Sequence, residues 1–556
     1  MRILSTITTI DLKIEPQDVA YKLKDSDYLC FLDSSLSDNK YSKFSYIAWE
    51  PEFVIKSKGY KNEFIDIYSG IKCNTYQHPL FFLKQNIKDY ICSSPEVKSG
   101  NINAVDTVYI SEGRAIRGEK VIKDREEIRH FKLPDFRGGF TGYFSYDLKN
   151  YIEKLPSRAV DDMELPLIYL LYYDKVLAYS HHDKRWYYIK NFRLKGKNSG
   201  CVDDPAAGCF KDDYINKDNY VNFEITDEDL IRKVNASLND ILVLLKKAED
   251  KNKDINNREK IVNKYLERDI PDVKLHSNMT RRSYIKKVNK VKEYIHKGDI
   301  YQANFSQRFE AALPVEPMDL YYILRDKNAA PFSAFLKFPE FCIGSSSPER
   351  FLFLKGDTIE TRPIKGTAPR GKDAAGDSRY VAELENSIKN RAELNMIVDL
   401  ERNDLGKFCY YGTVKVPEHA VIEKYATVFH LVSTVIGRAK KGTDISDMIK
   451  AAFPGGSITG APKIRAMEII DELEPTARGI YTGSIGYIGI DSTIDLNIVI
   501  RTFVIKENKF YYNVGGGIVE DSIPADEYRE TLDKGIALEE TLKFFTGKNL
   551  RRLNKN

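Results

Sequence analysis

The chain has little of what would mark it as exported, membrane-bound or nucleic-acid-binding. Its seven cysteines (Cys30, Cys73, Cys92, Cys201, Cys209, Cys342, Cys409) are an odd number and include no CxxC pair. That pattern gives no basis for a disulfide framework or a zinc ribbon and fits thiols kept reduced in a cytoplasm. No stretch approaches the roughly 18 uncharged apolar residues that a membrane span needs. The first residues reach Asp11 and Lys13 without an apolar segment suited to export. A soluble, cytoplasmic protein is expected, with no membrane partner. An excess of charge is also missing: 85 basic and 81 acidic side chains leave a net +4, which argues against a nucleic-acid surface. No internal repeat is visible.

What is present is material for a large core. A chain of 556 residues that is 42% hydrophobic corresponds to roughly two to four domain-sized units. Residues 1–195 carry short β-rich runs such as Tyr28–Leu32 and Ile168–Tyr173. Residues 196–276 shift to Lys, Asp, Glu and Asn and read as a charged insert or linker. Within it Leu230, Val234, Leu238, Leu242 and Leu245 recur at helical spacing, which predicts one amphipathic helix. A second polar stretch, 93–129, reads as an elaborated loop. Residues 277–546 are dense in regular patterns. Thr280 is a predicted N-cap, and Gly298 is expected to end the helix that follows. Strands are predicted at 333–338 and 482–488, with a hairpin of 498–504 and 510–514 turning at Glu507-Asn508. Helices are predicted over 380–400, 462–473 and 525–545. Antiparallel hairpins mixed with long helices give an α+β sandwich as the fold class.

Several groups of residues in this last region bear chemistry. Lys365, in Pro363-Ile364-Lys365-Gly366-Thr367 with Arg362 and Arg370 nearby in sequence, is a candidate nucleophile. At pH 7 only roughly one free lysine in two thousand is the neutral amine, and adjacent cations or desolvation would raise that fraction. Glu349 lies sixteen positions earlier across a predicted hairpin, a candidate acid/base partner whose alternative is a plain ion pair. Glu527 and Glu530 are three apart on a helix, and Glu393 lies on another. Oxygen donors of this kind suit Mg²⁺, although such pairs by themselves are more often a solvated face. The run Phe453 to Lys463, rich in glycine and hydroxyls before a helix, suits a carboxylate or is an ordinary helix start. Gly515-Gly516-Gly517 permits close approach of a ligand, or marks a bulge. Arg501, with Arg362 and Arg370 as lesser candidates, offers a guanidinium fork for a carboxylate. His430 lies in an apolar run, where a satisfied core histidine is the commoner case.

Taken together, these stretches resemble the chorismate-utilising enzyme family. The likeness is strongest from residue 277 onward, through Gly298–Asn304, Ser347–Phe351, Pro363–Thr367, Arg402–Gly406 and the glycine run from Pro454. It is looser through Phe31–Ser35, Phe44–Ile47 and Arg137–Tyr143. The resemblance implies two antiparallel sheets with helices outside, enclosing chorismate and Mg²⁺. Glu393 and Glu530 would hold the metal, with Glu527 in support. Tyr481, Arg501, Gly515 and Gly517 would bind the enolpyruvyl carboxylate, with His430, Gln302 and Thr367 near the substrate. Ser34 would lie at a possible tryptophan pocket, regulatory in some relatives.

Water-adding members have a lysine where this chain has Gln302, and anthranilate-forming members have alanine in place of Lys365. The aminodeoxychorismate-forming branch has the lysine. The resemblance therefore implies amination of chorismate at C4, with Lys365 attacking C2, Glu349 delivering a proton, and a separate lyase finishing para-aminobenzoate for folate synthesis. None of the seven cysteines stands in a Gly-x-Cys-x-Gly glutaminase setting. Ammonia is accordingly expected from a separate glutamine amidotransferase subunit. Ala368 stands where relatives commonly have arginine, which leaves desolvation as the larger influence on Lys365. The alternatives are an anthranilate synthase component I and, from another class, a non-catalytic chorismate- or amino-acid-binding regulator. The latter is disfavoured because Glu393, Glu527 and Glu530 are all present.

Overall fold

Strands from both ends of the chain alternate within two large sheets in the computed structural model, which describes residues 2–36, 41–88, 90–91, 105–111, 114–117, 133–195, 220–222, 226–246, 257–266, 273–425, 428–546 and 551–553. Among these residues one sheet has sixteen strands, and its centre runs Gln302–Ala312, Lys509–Ile518, Thr502–Lys506, Cys342–Ser347, Phe332–Lys337, Cys30–Asp33, Phe44–Ala48. The other has twelve, running from Ile364–Pro369 through Val428–Arg438, Thr358–Arg362, Arg350–Lys355, Ile494–Asn497 and Ser484–Gly489 to Gly139–Phe144 and Ile168–Tyr173. Pairing is antiparallel in most of both sheets; Arg2–Ile10 with Val105–Ser111 is a parallel exception. The α+β class expected from the sequence is observed.

Alternation of apolar side chains builds the layer between the sheets. Ile7, Tyr46, Ala178, Ala334, Ile343 and Val504 of the first sheet meet Val54, Tyr143, Tyr169, Leu171 and Ile485 of the second. Tyr169 packs on Phe338 with centroids 4.2 Å apart. Helices cover the outer faces. Pro16–Lys22, Pro317–Lys327 and Ile536–Thr546 pack on the first sheet, and Pro79–Ile87, Ile388–Phe408 and Ile445–Ala452 on the second. No helix of the described residues is long and apolar enough to cross a membrane.

Local chemistry explains where elements begin and end. Thr280 caps Arg281–His296 by accepting from the Ser283 N–H at 3.1 Å, and Gly298 follows the helix in the left-handed region at φ 77°. Glu507 and Asn508, at φ 52° and 59°, form the hairpin turn between Thr502–Lys506 and Lys509–Ile518.

Two helices expected as single spans are each broken. The 380–400 span is divided between Ala374–Glu385 and Ile388–Phe408, because Ser387 accepts from the Asn390 N–H and starts a second helix. The 525–545 span is divided at Gly535 into Pro524–Lys534 and Ile536–Thr546.

The charged segment also departs from expectation. It contains two helices, Asp227–Lys246 and Asn257–Leu266, and they are more than a linker. Leu230, Val234 and Leu245 are buried in the core under the first sheet, together with Ile261 and Tyr265. Lys264 and Tyr265 both bond Asp319, at 2.6 and 2.8 Å. Most of the 93–129 stretch, and Cys92, Cys201 and Cys209, lie outside the described residues.

Candidate active site

The hairpin of Arg350–Lys355 with Thr358–Arg362 pairs Arg350 with Arg362, so Glu349 and Pro363 leave it side by side. The chain then turns into Ile364–Pro369, which pairs instead with Val428–Arg438. This sets Lys365 within electrostatic reach of the Glu349 carboxylate. Across the sandwich, Lys509–Ile518 pairs with Gln302–Ala312 so that Gly517 faces Asn304 and Gly515 faces Ser306. The two sheets meet at Lys365. A Cβ on Gly517 would lie 3.3 Å from Lys365 Nζ and 2.6 Å from Gln302 Nε2, so the missing side chain is what admits the amine.

Burial acts on this cluster through the cost of holding charge away from water. It lowers the Lys365 ammonium from its ordinary range, and the Lys534 cation lowers it further, against the opposing pull of Glu393, Glu349 and Glu530. The arginines beside Lys365 in sequence play no part. Arg362 bonds Thr434 Oγ1 at 3.1 Å and Glu423 at 2.8 Å, and Arg370 bonds Asp377 at 2.6 Å. Both are therefore corrected as influences on the amine and as lesser carboxylate clamps. Burial raises Glu349 to about 7, moderated by Ser457, Lys365 and Arg501. His430 is pushed down to about 3 by burial and by Arg501, so it is a neutral imidazole at physiological pH.

Several polar groups here have unfilled valences. His430 bonds Thr367 Oγ1 through Nδ1 at 3.0 Å, while its Nε2 is buried without a partner. Both ends of the Gln302 amide, and Asn304 Oδ1, are likewise unpartnered. The Arg501 guanidinium forms no hydrogen bond or ion pair with any described residue, and burial lowers it from its usual range. Its backbone is in the left-handed region, at φ 52°. Tyr481 is buried against Arg478, with its ring centroid 5.8 Å from the guanidinium. Arg478 is saturated by Glu474 and the Asn304 carbonyl, and Glu474 also accepts from Ser306, which rigidifies the strand opposite Gly515. Unpartnered donors and acceptors beside a half-buried amine and the Arg501 cation suit a polar, anionic small molecule.

Glu527 and Glu530 lie on Pro524–Lys534 facing Gly516. A Cβ there would sit 3.3 Å from Glu527 Oε2 and 3.5 Å from Glu530 Oε1. Ser522 donates to Glu527 Oε1 at 2.6 Å, while Oε2 is buried and unpartnered. Burial raises Glu527, whereas Lys534, 2.7 Å away, holds Glu530 below the usual carboxylate range. Glu393 is placed through Lys365, which feels its charge. Among the described residues no three such side chains converge as a preformed cage. An oxygen-only donor set, an orphaned Glu527 oxygen and the space over Gly516 nevertheless fit a hard divalent cation that keeps water ligands.

Two residues in this neighbourhood escaped the sequence reading. Lys534 also donates to the Gly515 carbonyl at 2.9 Å, and its i+4 spacing from Glu530 was the available signal. Glu401, buried on Ile388–Phe408, accepts from the Gly456 N–H at 2.8 Å. The glycine run therefore does not offer that N–H to a ligand carboxylate. It forms a short 3₁₀ turn, Gly456–Ile458, and the helix begins only after Pro462. Ser34 lies elsewhere, lining a cavity of about 200 Å³ with Tyr41, Phe332, Arg350, Phe353 and Asp495. Its hydroxyl donates to the Phe44 carbonyl at 2.8 Å.

This sandwich, with a half-buried amine and unpartnered polar groups where its sheets meet and a carboxylate set on a flanking helix, coincides with a known class. A model of chorismate binding enzymes matches residues 98–540, and the chain belongs to that family. Among its relatives are proteins named aminodeoxychorismate synthase component 1. The one from Bacillus subtilis (strain 168) is 36% identical over 79% of this chain and 84% of its own. The one from Escherichia coli (strain K12) is 34% identical over 92% and 93%. The crystal structure of anthranilate synthase component I from Streptococcus pneumoniae TIGR4 superposes with a TM-score of 0.64 at 26% identity, over 89% of this chain and 92% of that one.

Proposed function

We propose that this chain is the chorismate-aminating component of an aminodeoxychorismate synthase, converting chorismate and ammonia to 4-amino-4-deoxychorismate for para-aminobenzoate and folate synthesis. The observation that carries the reading is the desolvated Lys365 amine beside Gly517 and Glu349, at the position where the family resemblance implies alanine for anthranilate-forming members. Arg501, Tyr481 and the Gly515–Gly517 backbone would receive the enolpyruvyl carboxylate, and the His430 and Gln302 valences would meet other substrate oxygens.

In the reading we favour, the Lys365 amine attacks C2 while the two ring double bonds shift and the C4 hydroxyl departs as water, its proton supplied by Glu349. Ammonia adds at C4, the double bonds return, and the lysine is expelled from C2. Glu393, Glu527 and Glu530 would hold Mg²⁺. When bound, this ion supplies Lewis-acid stabilisation of the substrate's carboxylate charge and of the leaving group. Ammonia would come from a glutamine amidotransferase subunit; the component 1 designation of the relatives supports a partner component. A reduced cytoplasmic setting accords with the free thiols of Cys30, Cys342 and Cys409. The cavity at Ser34, walled by Tyr41, Phe332 and Phe353 with acidic Glu360 and Asp495, is proposed as the site of an aromatic amino acid such as tryptophan.

The test is incubation of the chain with chorismate, Mg²⁺ and ammonium, followed by chromatography. Aminodeoxychorismate is the expected product; anthranilate with pyruvate would establish the rival chemistry instead. Lys365→Ala is expected to lower amination by at least about 100-fold, and normal turnover would remove the covalent role.

A further inference from the structure

Asn304 is a buried amide to which the proposed reaction gives no role. Its side chain forms no hydrogen bond with any described residue, and its Oδ1 is an acceptor shut away from solvent. The backbone that carries it is fixed at both polar atoms. The Asn304 N–H donates to the Thr459 carbonyl at 2.7 Å, and Arg478 donates to the Asn304 carbonyl at 2.6 Å. Gln302–Ala312 is extended, so Gln302, Asn304 and Ser306 share one face of the sheet. On that face the paired strand offers no side chain at these positions, only Gly517 opposite Asn304 and Gly515 opposite Ser306. A Cβ on Gly515 would lie 3.0 Å from Asn304 Oδ1, and one on Gly517 would meet Gln302 Nε2 at 2.6 Å and Lys365 Nζ at 3.3 Å. The Asn304 carbonyl therefore sits over one glycine, and the amine and the Gln302 amide sit over the next on the same face. One pleat repeat, roughly 6.5–7 Å, separates the two positions, about twice the length of an N–H···O hydrogen bond. Beyond Asn304 the face closes at Ser306, whose hydroxyl donates to the Glu474 carboxylate that Arg478 also grips.

Chemistry selects the partner of that acceptor. Chorismate is a dianion, and its carboxylates are repelled by a carbonyl oxygen. Its one donor is the C4 hydroxyl, the group that Glu349 protonates in the proposed reaction. Ammonia has three N–H donors and a single lone pair, and two acceptors on one side of it turn that lone pair the other way. We propose that Asn304 Oδ1, together with Gln302 Oε1, holds the ammonia molecule that attacks C4, which makes Asn304 a specificity-determining residue for the nitrogen substrate rather than for chorismate. Gln302 Nε2 stays available to donate to substrate oxygens. The inference rests on the proposed amination. An acceptor that has already lost its water gains the full worth of an N–H donor when one arrives, which is how a neutral molecule of one heavy atom is retained.

The experiment measures steady-state consumption of chorismate at fixed pH in wild type, Asn304→Leu and Asn304→Ser. Free ammonia is varied at saturating chorismate and chorismate at saturating ammonia, and the thermal midpoint of each variant is recorded. Leucine keeps the size of the side chain without its carbonyl, and serine places its oxygen short of the amide position. Each is expected to raise the KM for ammonia at least about fivefold, the loss of one hydrogen bond, while the KM for chorismate changes by less than about twofold. A merely structural role would raise both constants together. The inference is overturned if the ammonia KM of Asn304→Leu stays within about twofold of wild type, or if its chorismate KM rises as steeply, which would give the acceptor to the C4 hydroxyl instead. If Asn304→Leu does not fold, Asn304→Ser is judged by the same two ratios. Aminodeoxychorismate- and anthranilate-forming enzymes both consume ammonia, so the product made by the wild type tests the proposed function and the ammonia KM tests Asn304.

Discussion

Glu349 and Lys365 owe their opposite shifts to one cause. Removal from water penalises whichever form is charged, so the carboxyl rises to about 7 while the ammonium falls. A carboxyl near 7 keeps its proton in about half of the molecules in neutral solution, and a lowered amine more often has a free lone pair. The sign of the pH dependence follows. The protonated donor is fully present well below about pH 7 and is lost as pH rises through it. At fixed free ammonia, kcat should therefore decline on that alkaline side. Glu349→Gln should lower kcat by about 10²–10⁴-fold and abolish the limb; a mutant profile that kept it would assign the limb to another group. Lys365 was legible as a candidate from its neighbours in sequence, but for the wrong electrostatic reason. Arg362 and Arg370 are consumed by Glu423 and Asp377, and the cation that matters, Lys534, is 169 positions away. Charge proximity across such a separation is set by folding alone.

At the scale of single elements, the strand Lys509–Ile518 and the helix Pro524–Lys534 carry much of the site's shape. Gly517 leaves room that Gln302 and Lys365 fill. In Gly517→Ala the new methyl would sit 2.6 Å from Gln302 Nε2, so a fall in kcat/KM on the order of 10² is expected with an unchanged circular dichroism spectrum. Wild-type kinetics would mean that the amine and amide move aside freely. On the helix, Glu527 Oε2 is an acceptor without a donor. Glu527→Gln should weaken Mg²⁺ binding by at least about tenfold in calorimetry, a readout independent of turnover. Spacing in the sequence showed these glutamates on one face but could not distinguish a solvated face from a ligand set. The same limit applies to the helix over 380–400: the apolar period continues through Ser387, but its hydroxyl caps a new helix instead.

Across the whole molecule, the active region exists only where two sheets meet. Lys365 belongs to an edge strand of one and Gly517 to the interior of the other, and strands before residue 195 and after 277 share both. Even the charged segment is tied to this body, through Leu230, Val234 and Leu245 buried in its core. Leu230→Ala should therefore cost about 2–5 kcal/mol in denaturant unfolding, the range for a buried leucine, whereas a free linker would lose almost nothing. The sequence by itself determined the α+β class, the caps at Thr280 and Gly298, the hairpin bringing Glu349 to Lys365, and the family motifs. All of these depend on residues close in the chain or on a period of two or 3.6. Tertiary structure alone decided which cation faces Lys365, that the Gly456 N–H belongs to Glu401, and that the insert helices are core. Those outcomes depend on burial and on contacts between elements far apart in sequence, where desolvation and exclusion of competing partners, rather than local propensity, choose the arrangement.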